Sequence, residues 1–185
     1  MPTTTDYRHL TGEYVLDPAH SRIGFVARHA MVTKVRGAFN EFSGDARLDG
    51  ENPARSSVRV LIQVASIDTR NADRDTHLRS NDFLQMDEHP EIVFQSTEIT
   101  WTDENAFDVT GDLTIKGETR SVTVPFTFEG QATDPFGNVR VGFEGQTTIN
   151  RKDFGVTWNA ALETGGVLVS DKILLEFEIS AIKQA

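Results

Sequence analysis

The chain has 185 residues and a net charge of −10, it contains no cysteine, and 38% of its residues are hydrophobic, with twelve Phe. This length and apolar content predict one domain with a large core. The negative charge argues against nucleic-acid binding through phosphates and disfavours anionic membrane surfaces, although local basic patches remain compatible with it. The absence of cysteine excludes disulfides, thiolate nucleophiles and thiolate zinc sites.

Residues 1–11 are mostly polar and predict a flexible lead-in ahead of one domain over residues 12–185. The lead-in has no apolar segment followed by small residues, so it does not resemble a signal peptide. No later stretch approaches the roughly 18 apolar residues of a membrane span, which predicts no stable membrane insertion. We therefore expect a cytoplasmic protein, or a periplasmic or secreted one if a leader has been removed.

Two strands are predicted first, because apolar and polar residues alternate along the chain as they do in half-buried β-strands. Glu13 to Asp17 is short and ends at the turn signal of Pro18. His20 to His29 follows, and its apolar face carries Phe25. The same parity predicts that the imidazole of His29 points inward.

The next segment breaks this alternation, because Phe39 and Phe42 lie three residues apart. Such spacing predicts a bulge or bend of the kind that curves a barrel. The strand after it, Ser57 to Ser66, alternates cleanly, and Val60 and Ile62 lie on its apolar face. These strands would therefore share one apolar side.

Residues 72–80 lack the alternation of a strand and predict a short helix. Asn71 precedes them as an N-cap, while Asp75 and Arg79 lie four residues apart and predict an ion pair on the helix surface. The apolar residues that follow, between Phe83 and Met86, are expected to pin this helix to the body of the protein.

Extended structure resumes after Pro90. Strands are predicted over residues 91–101, 106–115, 119–129, 138–149 and 172–182, with a tight turn at Lys116–Glu118 and a 3₁₀ corner at 151–155. Parallel strands would need crossovers of a dozen or more residues, and only one insert is long enough. The sequence thus predicts an all-β, antiparallel fold, and eight strands can close into a barrel that holds side chains or one ligand.

Four groups of residues carry a family resemblance, and they cover nearly the whole chain. They are Tyr14–Phe25 with Arg28, His29 and Gly37–Phe39; Ile67–Asn71 and Arg74–Leu84 with Pro90 and Ile92–Phe94; Gly111–Gly117; and Asn150 and Arg151 with Asp153–Gly155 and Val169–Asp171. In this order they closely resemble the YceI-like family of bacterial lipid-binding proteins.

The resemblance implies an eight-stranded antiparallel lipocalin-like barrel with one short helical insert and a long apolar tunnel. It implies non-catalytic binding of a long-chain isoprenoid, quinone-like or other amphiphilic lipid, for transport, storage or sequestration. The chain departs from many members in showing no leader and in having Gln85 where many place an acid. No cofactor is expected, and the sequence has no signature of a homodimer, although one is compatible with it.

The inward faces predict which residues would contact the lipid. Alternation alone favours an ordinary packed core, and the resemblance is what favours a ligand. The predicted ligand-binding residues are Phe25, His29, Phe39, Phe42, Val60, Ile62, Phe94, Phe107, Val124, Phe126, Val141 and Phe143.

Basic side chains are the candidates for contacting a lipid headgroup, because a pyrophosphate needs cationic donors. They are Arg28, Arg36, Arg74 and His77. For the two on the helix, a solvated surface with ion pairs to Asp73 and Asp75 is the simpler explanation.

No residue pattern indicates a catalytic or metal site. The five histidines form no His-x-x-x-His or His-Glu-x-x-His pair, and His20 and Ser21 would point to opposite faces of one strand. Two alternatives to a lipid carrier stay open. One is an enzyme that acts on the lipid with His29 as acid-base group, and the other is a filled barrel that serves as an interaction module.

Overall fold

The computed structural model describes residues 7–163 and 168–184, and these contain eleven β-strands and one α-helix, α1 (Ala72–Arg79). The strands are β1 (Gly12–Leu16), β2 (Arg22–His29), β3 (Thr33–Phe39), β4 (Phe42–Leu48), β5 (Ser57–Gln63), β6 (Ile67–Asp68), β7 (Glu91–Trp101), β8 (Ala106–Ile115), β9 (Glu118–Thr133), β10 (Val139–Asn150) and β11 (Lys172–Lys183). Residues 1–6, the first half of the predicted lead-in, lie outside the described residues.

The strands form a closed antiparallel barrel. The pairing order is β1, β4, β5, β7, β8, β9, β10 and β11, and β11 pairs back with β1 to complete a ring of eight. β2, β3 and β6 extend three of these strands: β2 follows β1 along the same edge of β11, β3 pairs with β2, and β6 pairs with β3. The predicted eight-stranded barrel with one helix is confirmed.

Local sequence explains where the barrel strands break. Pro18 begins a short 3₁₀ turn between β1 and β2, because its fixed φ suits the first position of such a turn and it has no N–H for the ladder. Residues 40–41 separate β3 from β4, so the predicted bend between Phe39 and Phe42 is confirmed.

The predicted strand through Ser66 is wrong in its last three residues. β5 ends at Gln63, and residues 64–66 form a 3₁₀ turn. Val64 is 1% exposed within the core, and its backbone N–H donates to the carbonyl of Pro90 instead of continuing the sheet. Burial of this side chain therefore outweighs the alternating pattern.

The predicted tight turn between β8 and β9 and the predicted 3₁₀ corner after β10 are also present. β8 and β9 are joined by Lys116 and Gly117, whose φ values of 53° and 77° are those of a two-residue hairpin with both residues left-handed. Asn150 caps a 3₁₀ helix over residues 151–154, and Gly155 ends it at φ 72°. Both features follow from local residue preferences.

The helix begins as predicted but does not form the predicted ion pair. The Asn71 Oδ1 atom accepts from the backbone N–H of Arg74 at 3.0 Å. Asp75 is buried, and its Oδ1 accepts from the backbone N–H and the hydroxyl of Thr69 at 2.8 and 2.5 Å. Arg79 instead donates to the carbonyl of Ala65. It is Asp75, through its two hydrogen bonds, that ties the helix to the end of β6.

The two ends of the barrel are closed by different segments. At the end where β1 begins, Leu10 is buried and Tyr7 stacks on Trp101 with ring centres 5.1 Å apart. Residues 7–11 of the predicted flexible lead-in thus pack on the barrel. At the other end lie α1, the turns after it and residues 151–163 and 168–171.

Arg140 joins two segments on the outside of the barrel by bridging the carboxylates of Asp17 at 2.6 Å and Asp134 at 2.8 Å. The hydrogen bond from Arg140 is the main reason that the pKa of Asp134 is lowered to about 2, and backbone N–H groups of Phe136 and Asn138 contribute. The ionised carboxylate therefore stabilises the folded state most at pH values above the pKa that Asp134 has in the unfolded chain.

We expect the stabilising effect of Asp134 to disappear in acid. Its folded pKa lies below the ordinary value of 3.8, so the contribution is complete above about pH 4 and is lost as pH falls through about 2. Urea unfolding of the wild type and of Asp134→Asn should differ by a constant amount near neutral pH and converge towards pH 2. A difference that does not change with pH would contradict this assignment.

Candidate functional site

An apolar cavity of about 280 Å³ lies inside the barrel. Inward side chains from the barrel strands form its wall, and Leu78, Phe83 and Leu84 close it at the α1 end. Its volume is near the lower limit of the roughly 300–1,000 Å³ of small-molecule pockets. The interior is therefore hollow, which argues against a barrel filled by its own side chains.

Nine of the twelve predicted ligand-binding residues line this cavity. They are Phe25, Phe39, Val60, Ile62, Phe94, Phe107, Val124, Phe126 and Phe143. All nine lie on strands, and their common orientation follows from the period of two that the sequence displays. Their contact with a ligand stays a prediction.

The other three predicted residues lie away from the cavity. Phe42 is buried in the core beside Ile62, and Val141 packs with Tyr14 in a separate cluster at the lead-in end. His29 is exposed at the end of β2, where residues 168–170 replace the neighbouring barrel strand. The predicted inward imidazole is not found, and the alternative of an enzyme that uses His29 loses its geometric basis.

Two of the four headgroup candidates lie on the outer surface of the barrel. Arg28 and Arg36 are exposed, and their side chains lie on the face of β2 and β3 opposite to Phe25. Arg36 reaches a carboxylate oxygen of Glu176 at 3.8 Å. Neither guanidinium lines the cavity.

The other two candidates hold the helix in place. Arg74 donates from Nε to the hydroxyl of Thr69 and from Nη2 to its carbonyl, each at 2.7 Å. His77 contacts Asp82 at 2.8 Å, and its ring lies edge-on against Phe83 and Trp158, with ring centres 4.9 and 4.7 Å away. These side chains position the wall that α1 contributes.

Three phenyl rings of the wall lie against glycines of neighbouring strands. An ideal Cβ on Gly37 would meet the ring of Phe25 at 2.3 Å, one on Gly111 would meet Phe94 at 2.5 Å, and one on Gly145 would meet Phe126 at 2.6 Å. No side chain fits beneath these rings, and each ring can therefore lie along the wall. The glycines keep the lumen wider than β-branched residues would.

Arg151 also lines the cavity, although no residue pattern marked it as a site residue. It is 5% exposed, and its guanidinium donates to the carbonyls of Val156 at 2.7 Å, Trp158 at 2.9 Å and Ser170 at 2.9 Å. Burial lowers the pKa of this group, and Asp171 at 3.8 Å opposes the shift. In the sequence, Arg151 was noted only as part of the fourth group of residues that resemble the family, and no role was predicted for it.

The described residues contain little that could perform chemistry in the cavity. Across residues 7–163 and 168–184, no group of three His, Asp or Glu side chains is placed to hold a metal ion. Among the same residues, no helix has the length and apolar character needed to cross a membrane. What the site offers is apolar surface, with Arg151 at one end.

Comparison with known proteins agrees with the barrel fold. The family model described as YceI-like domain matches residues 14–181. The chain belongs to the YceI-like family. Curated relatives include a UPF0312 protein of Pseudomonas aeruginosa, 40% identical over 80% of this chain and 78% of its own length. Another, from Staphylococcus epidermidis, is 41% identical over 91% of this chain and 95% of its own length.

Several solved structures share the fold. Burkholderia cenocepacia BcnA superposes with a TM-score of 0.79 at 28% identity, covering 89% of this chain and 98% of that one. The Campylobacter jejuni YCEI protein gives 0.73 at 28% identity, covering 85% and 90%. A polyisoprenoid binding domain from Saccharophagus degradans gives 0.70 at 13% identity, covering 92% and 98%, and this similarity concerns the fold alone.

Proposed function

We propose that this YceI-like protein binds one amphiphilic lipid, an isoprenoid or quinone-like chain, inside the barrel and transports, stores or sequesters it. The observation that carries the proposal is the hollow interior, a cavity of about 280 Å³ with an apolar wall. Family membership and the fold shared with a polyisoprenoid binding domain support the same class of ligand. The predicted cytoplasmic location is part of this proposal and awaits its own test.

Because the cavity wall is apolar, burial of the lipid tail is the main source of binding affinity. Each buried methylene contributes about 0.8 kcal/mol, so a five-carbon isoprene unit contributes roughly 3–4 kcal/mol before ordering costs. The aromatic and branched side chains of the wall provide this contact without any polar partner. Affinity should therefore rise with tail length until the cavity is full.

Headgroup selectivity should be weak, because none of the predicted cationic contacts lines the cavity. Arg28 and Arg36 are on the outer surface, and Arg74 is engaged by Thr69. Leu10, Tyr7 and Trp101 pack at the lead-in end. We therefore assign entry of the lipid, and the place of its headgroup, to the α1 end, where the side chains of Leu78, Phe83 and Leu84 would have to move aside.

Native mass spectrometry of the purified protein tests the proposal, together with titration of fluorescent prenyl probes of increasing length. We expect a bound lipid that is recovered chemically unchanged, and saturable uptake that tightens with each added prenyl unit. The absence of both a co-purified lipid and saturable probe uptake would overturn the proposal. Conversion of the probe, lost in His29→Ala, would favour the enzyme instead.

We expect Gly37→Ala to weaken probe binding about ten-fold with little change in stability. The three atoms nearest to the new methyl group would all belong to the ring of Phe25, a movable side chain, which would turn towards the lumen. Gly142→Ala is the matched control, because its Cβ would meet its nearest neighbour, Glu129, at an ordinary 3.8 Å. Equal probe affinity in the two variants would contradict this account of the wall.

A further inference from the structure

The hairpin between β2 and β3 differs from the rest of this acidic chain. Residues 18–40 contain no Asp or Glu, although the whole chain has 28 of them. The same stretch contains Arg22, Arg28, Lys34 and Arg36. Local charge is therefore strongly positive in a protein whose net charge is −10.

Three of these cations are available to solvent on one stem. Arg28 and Lys34 are cross-strand partners, and Arg36 lies two residues further along β3. All three are exposed, and among the described residues neither Arg28 nor Lys34 has a carboxylate within ion-pair distance. Arg36 has only the 3.8 Å contact with Glu176, which leaves most of its charge accessible.

The tip of the same hairpin is apolar and exposed. Met31 is 56% exposed and Val32 75% exposed, whereas most large apolar residues of the chain are buried or half-buried. Ala30 and Met31 hold φ values of 52° and 63°, a left-handed pair that normally favours Asn and Gly. The turn thus presents large apolar side chains where turn chemistry favours small or polar ones.

The hairpin rises directly from the cavity wall. Phe25 and Ala27 on β2 line the cavity, and two residues later His29 pairs with Val169, which lines it as well. Ala30 is held by a hydrogen bond to the carbonyl of Leu168 at 2.7 Å. The tip therefore lies at the α1 end of the barrel, beside the place assigned above to lipid entry.

We infer that this hairpin, Arg28–Arg36, docks the protein on an anionic lipid bilayer, with Met31 and Val32 entering the interface and the three cations contacting headgroups. An apolar tip flanked by cations is what a bilayer surface of negative charge attracts, and binding of this kind is weak and reversible. The net negative charge of the molecule then favours orientations that turn this face towards the bilayer. The inference rests on the proposed function for its purpose, namely exchange of a lipid between the bilayer and the cavity.

Vesicle flotation tests the docking with full-length protein. Vesicles of phosphatidylcholine alone are compared with vesicles in which one third of the lipid is phosphatidylglycerol, at low and at high salt. We expect flotation with the anionic vesicles at low salt, and loss of it on neutral vesicles or in high salt. The variant Arg28→Gln/Lys34→Gln/Arg36→Gln should weaken binding on the order of 100-fold, and Met31→Ser/Val32→Ser about ten-fold.

Matched variants elsewhere on the surface control for charge and hydrophobicity. Arg47→Gln/Arg55→Gln/Arg59→Gln removes three exposed cations from β4, β5 and the loop between them. Phe136→Ser removes an apolar side chain that is 88% exposed at a turn of the opposite end. Both controls should float like the wild type, and an equal loss in either control would overturn the inference.

Uptake of a water-dispersed prenyl probe separates this inference from the proposed function. Docking variants that take up the probe normally but no longer float support the inference. Wild-type protein that takes up the probe but does not float would overturn docking and leave lipid binding intact. Flotation without any probe uptake would support docking and overturn lipid binding. Concentration-dependent dimers that require Met31 and Val32, without flotation, would assign the tip to a second copy and overturn the inference.

Discussion

The Ala27→Phe variant is expected to fold normally and to lose at least about 100-fold in affinity for an isoprenoid probe, because one added ring occupies the space of roughly one isoprene unit. Ala27 is half-buried on β2, lines the cavity and shares the inward face with Phe25. The new ring would project into existing empty volume. Its apolar contacts should keep the free energy of unfolding within about 1 kcal/mol of wild type.

Ala132→Phe is the control for this substitution. Ala132 is exposed on β9, so the same added ring lies in solvent and should change neither affinity nor stability. Probe titration and urea unfolding of the three proteins give the comparison. If Ala27→Phe instead loses about 1–3 kcal/mol of stability while probe affinity stays unchanged, the interior is a packed core and the lumen is not the binding site.

Much of the barrel follows from patterns that involve few neighbouring residues. The cap at Asn71, the bend between Phe39 and Phe42 and the turn at Lys116 and Gly117 are each set by short-range geometry, and each is found. The inward orientation of nine wall residues follows from the period of two along a strand. These features can be predicted without knowing which side chains lie across the barrel.

The features that the sequence did not reveal all depend on how segments of the chain pack together in three dimensions. Asp75 pairs with Thr69 and not with Arg79, because the helix packs on β6 and buries that carboxylate. Parity predicted an inward His29, but β11 does not extend beside it on the side opposite β3, and the imidazole meets solvent. Alternation describes one strand at a time and carries no information on which neighbours surround it.

Arg151 is the clearest case, because its partners are backbone carbonyls. Every residue has one, so the residue types do not show which carbonyls accept from the guanidinium. The acceptors belong to Val156, Trp158 and Ser170, none of which lies in a helix or a strand. From its sequence neighbours, a lone arginine in a corner is predicted to be a surface residue. Its burial is visible only in three dimensions.

Replacing Arg151 by Met is therefore expected to cost about 3–5 kcal/mol of folding free energy. The methionine side chain fills much of the apolar volume of the arginine stem, but three buried carbonyls lose their donors. The corner that contributes Phe154 and Val156 to the cavity wall would loosen with them. Probe affinity should fall together with stability, because this corner borders the lumen.

Lys152→Met is the control, since it removes the neighbouring cation. Lys152 is half-exposed and reaches Asp171 at 3.4 Å, a surface ion pair worth at most about 1 kcal/mol. Urea denaturation at neutral pH compares the two variants, and Arg151→Lys should restore part of the loss because an ammonium group can still donate to some of the carbonyls. If Arg151→Met unfolds at the same urea concentration as Lys152→Met, the guanidinium does not hold the corner and the loop must be stabilised by apolar contacts such as those of Trp158 with Phe83.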